Sequence, residues 1–470
     1  MYMSEIFFQS ATSLAQAIKT KKLSVLEVMD AHIDRIDKYN HAINAIVTMD
    51  LEAARQSAKD ADVTLASGAP VGPLFGLPVV HKDNVSTKGM RTTYGSLAFQ
   101  NNIPTQDSLI VTRQRDAGAI TLGKTNMPEF GAGSHTFNEI FCSTKNPYRF
   151  EVSAGGSSGG AAAALAAGFV PLADGSDMGG SLRNPASFCN VVGLRPSLGR
   201  VPVVPSSFSF GTLGVAGPMA RTVDDVALYL SVISGPDSRD PFSVASDSQV
   251  EPLLNNIETK GIKLAFSADI GGLPFESQVS KVIQGSLPIF ESLGCYVEEA
   301  EPEFTDADFA FEVLRGVAFA TSFGPLRAGK GDLLKNTVVW NIDVGLNLRG
   351  EEIARAERIR SAMFLKMELF LKKYDFLICP TTQVLPFDIH MEYPMEIDGT
   401  AMSTYIEWMR SVCRITITGH PAISIPCGFS DDGLPVGIQI VGPYRQERKL
   451  LEFAKQFEAA NPVGLIRPAL

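Results

Sequence analysis

Long blocks of lysine and arginine are missing from this 470-residue chain, whose formal net charge is −10. Binding to nucleic-acid phosphates needs clustered positive charge, so we expect no nucleic-acid partner. No stretch approaches about 18 uninterrupted apolar residues, so we expect no membrane-spanning helix and no membrane partner. The opening residues, MYMSEIFFQS, contain Glu5 and no basic segment, which argues against a signal peptide.

Cysteine pairs and metal-binding spacings are absent from the sequence as well. The six cysteines include no C-x-x-C pair, and the six histidines show no H-E-x-x-H spacing. In a chain of this length, scattered cysteines are typical of reduced thiols, so we expect a cytoplasmic protein. The dispersed histidines indicate no metal site. The cysteines are Cys142, Cys189, Cys295, Cys379, Cys413 and Cys427.

The composition is that of an ordinary globular protein, with 45% hydrophobic and 20% charged residues. From about residue 70, short apolar runs alternate with helical patterns, which predicts an α/β fold. We expect a mixed, mostly parallel central β-sheet covered by helices on both faces. The loop at 235–252 is the only candidate linker, so we expect one large domain over 1–470. Helices are expected in 1–65, and an insertion-rich, partly helical region at about 300–360.

The first clear helix signal is the capping-box pair Ser24 and Glu27, followed by an apolar stripe. His32 lies on this stripe, and we expect it to pack in the core rather than bind a ligand. Further strands are predicted at 77–80, 119–123, 169–173, 263–267, 376–379, 423–425 and 436–441. Further helices are predicted at 108–116, 161–167, 278–293, 351–364 and 448–459.

Lys82 ends an apolar strand in the first of three stretches that could perform chemistry, GLPVVHKDN at 76–84. Such a lysine could be a surface charge paired with Asp83. Alternatively, the strand leads it into a desolvated site, where burial lowers its pKa from the reference value of about 10.4. A neutral lysine is a competent general base for a hydroxyl. The local sequence leaves both interpretations open.

The second stretch, AGGSSGGAAAAL at 154–165, is a glycine-rich turn that opens onto an alanine-rich helix. It matches G-x-S-x-G, the nucleophile elbow of α/β-hydrolases, with Ser157 as the nucleophile. That interpretation needs a strong strand before the turn, and the preceding FEVS is a poor one. It also needs a later histidine, for which His390 and His420 are the only candidates.

The third stretch, DGSDMGGSLRNPA at 174–186, places two glycines before Ser181. Glycine tolerates unusual φ angles, so residues 178–181 could present consecutive backbone N–H groups in an anion-binding nest. Such a nest could stabilise the oxyanion of acyl transfer, where one lost donor costs about 3–4 kcal/mol. Ser181 would then be placed to attack the same carbonyl. A plain glycine turn is the alternative.

Taken together and in this order, the three stretches closely resemble the amidase signature family. Further landmarks of that family are spread from about residue 70 to 445. They are GKTNMPEF at 123–130, NPY at 146–148, VGLRPSLGRV at 192–201, GPMARTVDDV at 217–226, GHPAISIP at 419–426 and GLPVGIQIVG at 433–442. The resemblance implies the amidase signature fold over 1–470.

The resemblance also implies a mechanism, the hydrolysis of amide C–N bonds through an acyl-enzyme. Ser181 matches the nucleophile, Ser157 the bridging serine and Lys82 the base of a Ser–Ser–Lys relay. Family members hold the peptide corresponding to Gly156–Ser157 in cis. No metal or organic cofactor is implied. The oxyanion hole corresponds to the backbone N–H groups of Met178, Gly179, Gly180 and Ser181.

Other motif positions match supporting residues of the family. Asp177 and Arg183 look like a structural charge pair behind the site, and Ser158 like the start of the following helix. Asn126 and Ser134 match positions near the family's substrate pocket. Phe137 and Trp340 are candidates for its apolar lining, or are ordinary packing aromatics.

The resemblance fixes the reaction better than the substrate, because loops form pocket walls. We expect an amidase acting on a small, apolar or aryl amide, with anilides, carbamates and indoleacetamide-type substrates compatible. The partners are then a small-molecule amide and, by the family, a second copy in a homodimer. Two alternatives stay open: the glutamine amidase subunit of a tRNA amidotransferase, and a Ser-His-Asp esterase using Ser157 and His420.

Overall fold

An eleven-stranded mixed β-sheet runs through the part of the chain that the computed structural model describes, residues 3–244 and 254–470. Its strand order is β1-β3-β2-β6-β8-β7-β14-β15-β11-β9-β10, and β4–β5 and β12–β13 form two small separate pairs. The strands are β1 (Ile46–Met49), β2 (Pro78–Lys82), β3 (Ile120–Thr125), β4 (Lys145–Asn146), β5 (Arg149–Ser153), β6 (Leu172–Asp177), β7 (Val192–Arg195), β8 (Val215–Ala220), β9 (Lys263–Phe266), β10 (Tyr296–Glu299), β11 (Phe376–Pro380), β12 (Glu396–Ile397), β13 (Thr400–Ala401), β14 (Ala422–Phe429) and β15 (Pro435–Val441).

Helices pack against this sheet and complete a single large α/β domain. The helices are α1 (Ala11–Lys19), α2 (Val25–Ile43), α3 (Leu51–Ala66), α4 (Leu109–Asp116), α5 (Gly159–Ala166), α6 (Arg183–Phe188), α7 (Val223–Ile233), α8 (Ser277–Ser292), α9 (Ala307–Lys330), α10 (Asn336–Asn347), α11 (Gly350–Phe370), α12 (Arg410–Thr418) and α13 (Glu447–Ala460). No helix in the two described ranges is long and apolar enough to cross a membrane. Of the predicted linker at 235–252, residues 245–252 lie outside the described part.

The α/β class and the mixed sheet are confirmed, but the expectation of a mostly parallel sheet is wrong. Within the described residues, six of the ten pairings between neighbouring strands are antiparallel. The parallel pairs are β2 with β3 and β6, and β9 with β10 and β11. A parallel connection needs about a dozen residues or more. The turn at 430–434 between β14 and β15 is too short for that, so these strands form a hairpin.

Most predicted elements lie within a few residues of the observed ones, and β6 is the informative exception. The apolar run at 169–173 predicts a strand, whereas β6 begins at Leu172 and continues through the polar residues to Asp177. Phe169 and Val170 are fully buried just before the strand begins. The hydrophobic residues at 169–170 are therefore buried in the core outside the sheet. The hydrogen-bonded strand continues instead through the polar residues up to Asp177.

Helix α5 explains the alanine run at 161–164, because every one of its residues is buried. It packs against β2, β3 and β6. A Cβ atom at Gly160 would lie 2.4 Å from the backbone nitrogen of Asn126, and one at Gly159 would lie 2.3 Å from Thr136 Oγ1. Only glycine allows so close an approach. These two glycines therefore allow the first turn of α5 to pack directly against the segments that contain Asn126 and Thr136.

The predicted capping box at the start of α2 is confirmed. Ser24 Oγ accepts a hydrogen bond from the Glu27 N–H at 3.0 Å, and Glu27 Oε2 accepts one from the Ser24 N–H at 2.8 Å. His32 is buried on the same helix, as expected, and its Nδ1 donates to the Val28 carbonyl at 2.8 Å. Burial lowers the pKa of His32 to about 4. This histidine is therefore a neutral core residue at pH 7.

Replacing Ser24 by alanine removes the cap and leaves the Glu27 N–H without its acceptor. We expect Ser24→Ala to lower the free energy of unfolding by about 1 kcal/mol in urea denaturation. Ser57 is the matched control, because its exposed hydroxyl bonds a carbonyl within α3. Ser57→Ala should stay within about 0.5 kcal/mol of the parent protein. Equal losses in the two variants would show that the capping box contributes nothing.

Candidate active site

Strand β2 delivers Lys82 to a fully buried position beside three serines. All five residues of β2 are buried. Lys82 Nζ lies 2.7 Å from Ser157 Oγ, 2.9 Å from Ser158 Oγ and 3.1 Å from Ser176 Oγ. The neighbouring Asp83 accepts instead from the Thr93 N–H at 3.1 Å, so the surface pair considered from the sequence does not form.

Burial lowers the pKa of Lys82 to about 7, although the charges of Asp177 and Asp174 act in the opposite direction. No carboxylate contacts the amine among the described residues; its neighbours are hydroxyls, which can donate or accept. The neutral amine therefore keeps its hydrogen bonds by accepting one of them. Sequence reasoning identified Ser157 here but missed the direct contacts of Ser158 and Ser176.

The turn before α5 holds Ser157 against the amine of Lys82. The Gly156–Ser157 peptide is cis, as the resemblance implied. Ser158 is the N-cap residue of α5, as expected, but its hydroxyl bonds Lys82 rather than a helix N–H. A single turn thus supplies two of the three hydroxyls around the amine.

Residues 178–181 follow β6 directly and form the predicted glycine turn. Gly180 has a φ of +86° and is followed by Ser181, whose side chain is largely buried. The Gly180 N–H donates to Asp177 Oδ1 at 3.0 Å. Among the described residues, the N–H groups of Met178, Gly179 and Ser181 have no acceptor. Of the four backbone N–H groups predicted for an oxyanion, three are therefore unengaged.

Asp177 fixes this turn from behind through a buried ion-pair network. Its carboxylate contacts Arg183 Nη2 at 2.9 Å and Arg195 Nη1 at 3.4 Å, and accepts from the Leu182 N–H at 3.2 Å. The two guanidinium groups hold the pKa of Asp177 well below its usual range, despite complete burial. The charge pair expected between Asp177 and Arg183 is present, and Arg195 extends it.

A cavity of about 400 Å³ opens above the serines and is lined by Ser157, Ser176 and Ser181 among others. No hydrogen bond joins the hydroxyls of Ser157 and Ser181 in this structure, although both residues line the cavity. Its walls come largely from the segment 198–216 and from α9. The aromatic lining residues are Phe130, Phe208, Phe210, Phe242, Phe319 and Phe323.

None of the four residues suggested for a substrate pocket lines this cavity. Asn126 Nδ2 donates to the Cys142 carbonyl at 3.0 Å, so it ties two loops together. Ser134 Oγ accepts from Asn184 at 3.0 Å. The ring of Phe137 lies under Lys335 Nζ at 4.0 Å, and Trp340 packs against Tyr405 in a T-shaped pair with 5.9 Å between ring centroids. The i, i+4 pair Phe319 and Phe323 on α9 was the signal that sequence reasoning missed.

The histidine needed by a Ser-His-Asp esterase is not beside the serines. His420 is buried, with Nδ1 2.9 Å from the Thr418 carbonyl and Nε2 2.8 Å from Glu368 Oε1. Both ring nitrogens are therefore engaged outside the cavity, and Lys82 occupies the position next to Ser157 that such a histidine would need.

The cysteines and potential metal ligands form no further site in the ranges 3–244 and 254–470. All six cysteines are free, with Cys142 exposed and the other five buried. No group of three or more His, Cys, Asp or Glu side chains in these ranges could hold a metal ion.

Comparison with known proteins places this geometry among amide-cleaving enzymes. The Amidase family model matches residues 27–451. The chain is 34% identical to an acylamidase from Rhodococcus erythropolis, over 100% of this chain and 99% of that protein. It is 35% identical to a subunit of the glutamyl-tRNA(Gln) amidotransferase from Geobacillus kaustophilus, over 99% and 100% of the two chains. The structure of a bacterial aryl acylamidase of the amidase signature family superposes with a TM-score of 0.91 at 29% identity, covering 98% and 97%.

Removing the carboxylate of Asp177 leaves two buried guanidinium groups without their shared counter-charge. We expect Asp177→Asn to lower the free energy of unfolding by about 3–5 kcal/mol in urea denaturation. Asp431 is the matched control, since it pairs with Lys281 at the surface, where both side chains are about two-thirds exposed. Asp431→Asn should cost less than about 1 kcal/mol. A loss at Asp177 as small as that would contradict the network's role.

Proposed function

This chain belongs to the amidase signature family and is a hydrolase acting on C–N bonds in amides, and on that premise we propose that it cleaves small amides through a relay of Ser181, Ser157 and Lys82. The observation that carries the proposal is the 2.7 Å contact between Ser157 Oγ and the buried amine of Lys82. The pKa of Lys82, about 7, supports a role as base, because half of the molecules carry a neutral Lys82 amine at that pH.

In the acylation step, neutral Lys82 takes the proton of Ser157 as Ser157 takes that of Ser181. The oxygen of Ser181 then forms a bond to the amide carbonyl carbon, and the carbonyl π electrons move onto oxygen. Both serines line one cavity, and closing the relay requires the Ser181 hydroxyl to move into hydrogen-bonding distance of Ser157 Oγ. The nucleophile therefore gains its activation without a histidine.

The negative charge that develops on the substrate oxygen needs backbone donors. We assign this role to the N–H groups of Met178, Gly179 and Ser181, since that of Gly180 is bonded to Asp177. One such donor contributes about 3–4 kcal/mol to transition-state stabilisation in known systems. Asp177 acts through the backbone here: it fixes the turn, so that the remaining N–H groups are oriented before the substrate arrives.

Collapse of the tetrahedral intermediate breaks the C–N bond. The relay returns the proton from Lys82 through Ser157 to the leaving nitrogen, because an amine anion is a poor leaving group. Water then enters and loses a proton to the same relay, and its oxygen attacks the acyl-enzyme. The acid is released, and Ser181 regains its proton.

The substrate class that fits the cavity is a small amide with an apolar or aryl part. Six phenylalanines contribute to the walls, and the volume of about 400 Å³ is that of a small-molecule site. The likeness to an acylamidase and to an aryl acylamidase supports the same class. Anilides and carbamates are compatible with it.

A second candidate, the amidase subunit of a glutamine-dependent tRNA amidotransferase, is favoured by the 35% identity to one of the subunits of such an enzyme. It would release ammonia from glutamine to partner subunits. Two measurements separate the candidates: glutaminase activity of the isolated chain, and co-purification with other subunits from the source cells. A stand-alone amidase shows neither, and turns over anilides instead.

Single replacements in the proposed relay test the assignment. We expect Ser181→Ala and Lys82→Ala each to reduce kcat/KM by more than about 10³-fold on the best substrate in a panel of anilides, amides, carbamates, esters and glutamine. His420→Ala should keep activity within about tenfold, since this residue lies outside the cavity. Full turnover by Ser181→Ala would refute the mechanism, and a large loss only at His420 would favour an esterase triad.

The pKa of Lys82 predicts the acidic limb of the pH profile. Because only the neutral amine accepts a proton, kcat/KM should fall about tenfold per pH unit below a pKa of about 7 and level off above it. A substrate without ionisable groups should be used, so that the limb belongs to the free enzyme. Intrinsic fluorescence over the same pH range controls for unfolding. A profile that is flat between pH 5 and 7 would contradict a lysine base.

A further inference from the structure

Arg315 is a buried arginine on the cavity wall for which the mechanism has no use. It lies on α9 and is 4% exposed. Its guanidinium lies over the ring of Phe319, with 4.6 Å between Cζ and the ring centroid. It also contacts Met178, one of the proposed oxyanion-hole residues, through Nη1 and Sδ at 3.3 Å. The positive charge therefore borders the place where the scissile carbonyl would bind.

No carboxylate within the described part of the chain pairs with Arg315. Its hydrogen-bond acceptors are the Tyr405 hydroxyl, the Asn341 amide oxygen and the Met178 sulfur, all of them neutral groups. Buried arginines are normally compensated by an acid, because an isolated buried charge is costly. Arg183 behind the site illustrates this rule through its pair with Asp177. Arg315 departs from it.

The other acidic residues on the cavity wall are engaged elsewhere. Asp177 is held by two arginines. Asp240 accepts from the backbone N–H groups of Val203 and Phe242 at 3.0 and 2.9 Å. Burial lowers the pKa of Arg360, and the charge of Glu357 acts in the opposite direction, so this carboxylate lies near Arg360. None of them forms an ion pair with Arg315 in the described ranges, so its charge is left for something that enters the cavity.

The pattern of hydrogen bonds shows which edge of the guanidinium is available. Nε and Nη2 both donate to the Tyr405 hydroxyl, at 3.2 and 2.7 Å, so that hydroxyl occupies one edge of the planar group. The edge formed by Nη1 and Nη2 meets only the Met178 sulfur, and a thioether is a weak acceptor. Two N–H groups on one edge match the two oxygens of a carboxylate.

From this geometry we propose that Arg315 binds a carboxylate of the substrate, so that the preferred substrates are small amides with an apolar body that ends in a carboxylate. The inference rests on the proposed function, since the carboxylate is defined relative to the amide attacked by Ser181. It narrows the proposed substrate class from apolar or aryl amides in general to those that also carry a carboxylate.

The test compares pairs of substrates that differ by one carboxylate. On the acyl side, 4-anilino-4-oxobutanoate is paired with butyranilide, and both release aniline. On the amine side, 3-acetamidobenzoate is paired with 3-methylacetanilide. We expect the parent enzyme to prefer the acid in at least one pair by about 10- to 100-fold in kcat/KM, the effect of a charge-assisted hydrogen bond. Equal or lower rates for both acids would overturn the proposal.

Variants at Arg315 separate recognition from packing. Arg315→Met should abolish the preference for the acid while turnover of its neutral partner stays within about tenfold, and Arg315→Lys should keep part of it. Arg327 is the matched control: it lies on the same helix but pairs with Asp343 at the surface. Arg327→Met should leave the acid-to-neutral ratio unchanged.

A purely structural role for Arg315 predicts a different result, in which Arg315→Met slows both members of a pair equally. That outcome would overturn the proposal. If Arg315→Met does not fold, the acid-to-neutral ratio of kcat/KM is compared between Arg315→Lys and the parent enzyme. The lysine retains the charge but lacks two N–H groups on one edge, so a lower ratio supports the proposal and an unchanged ratio overturns it. Failure of the underlying function is distinguishable, since Ser181→Ala would then retain turnover of both substrates.

Discussion

The burial of one amine without a carboxylate partner is the constraint on which the site depends. Desolvation lowers the pKa of Lys82 to about 7, and hydroxyls surround it. Lys124 on the neighbouring strand provides a contrast. It is equally buried, but its amine donates to the backbone carbonyl of Val85, which can only accept, and has a single hydroxyl neighbour, Thr87 Oγ1 at 3.0 Å. The carbonyl beside Lys124 cannot donate a hydrogen bond to a neutral amine, whereas each hydroxyl around Lys82 can.

The rest of the site positions oxygen and nitrogen atoms around that amine. Strand β2 brings Lys82 from one side, and the glycine-rich turn before α5 brings Ser157 from the other. The first turn of α5, directly after it, requires glycine, since a Cβ atom at Gly160 would collide with the backbone of Asn126. Asp177 in turn binds the Gly180 N–H of the turn at 178–181 and is itself held by Arg183 and Arg195. Close backbone packing and paired buried charges therefore hold Lys82, Ser157 and the turn at 178–181 in place.

Sequence reasoning points to these residues because three short motifs occur together in the order typical of one family, although each motif alone leaves alternatives open. The signals for Lys82, Ser157 and Ser181 are an apolar strand, two glycine-rich turns and their resemblance to one family. The α/β class follows from the alternation of short apolar runs with helical patterns. Strand direction was mispredicted because it depends on connection lengths such as the 430–434 turn. The cavity walls were missed because α9 carries no motif, and only the fold brings Arg315 beside Met178. Phe137 and Trp340 were suggested on residue type alone, which does not encode position.

The buried arginines of this site differ in whether a carboxylate of the chain compensates their charge. Arg183 and Arg195 are buried and share Asp177, so their charges are satisfied in the absence of substrate. Arg315 is buried to a similar degree but has only neutral acceptors. An isolated buried charge is costly, and a bound carboxylate would offset that cost. Under the proposed mechanism the relay residues perform the reaction, so specificity resides in wall residues of this kind, several of which lie on α9.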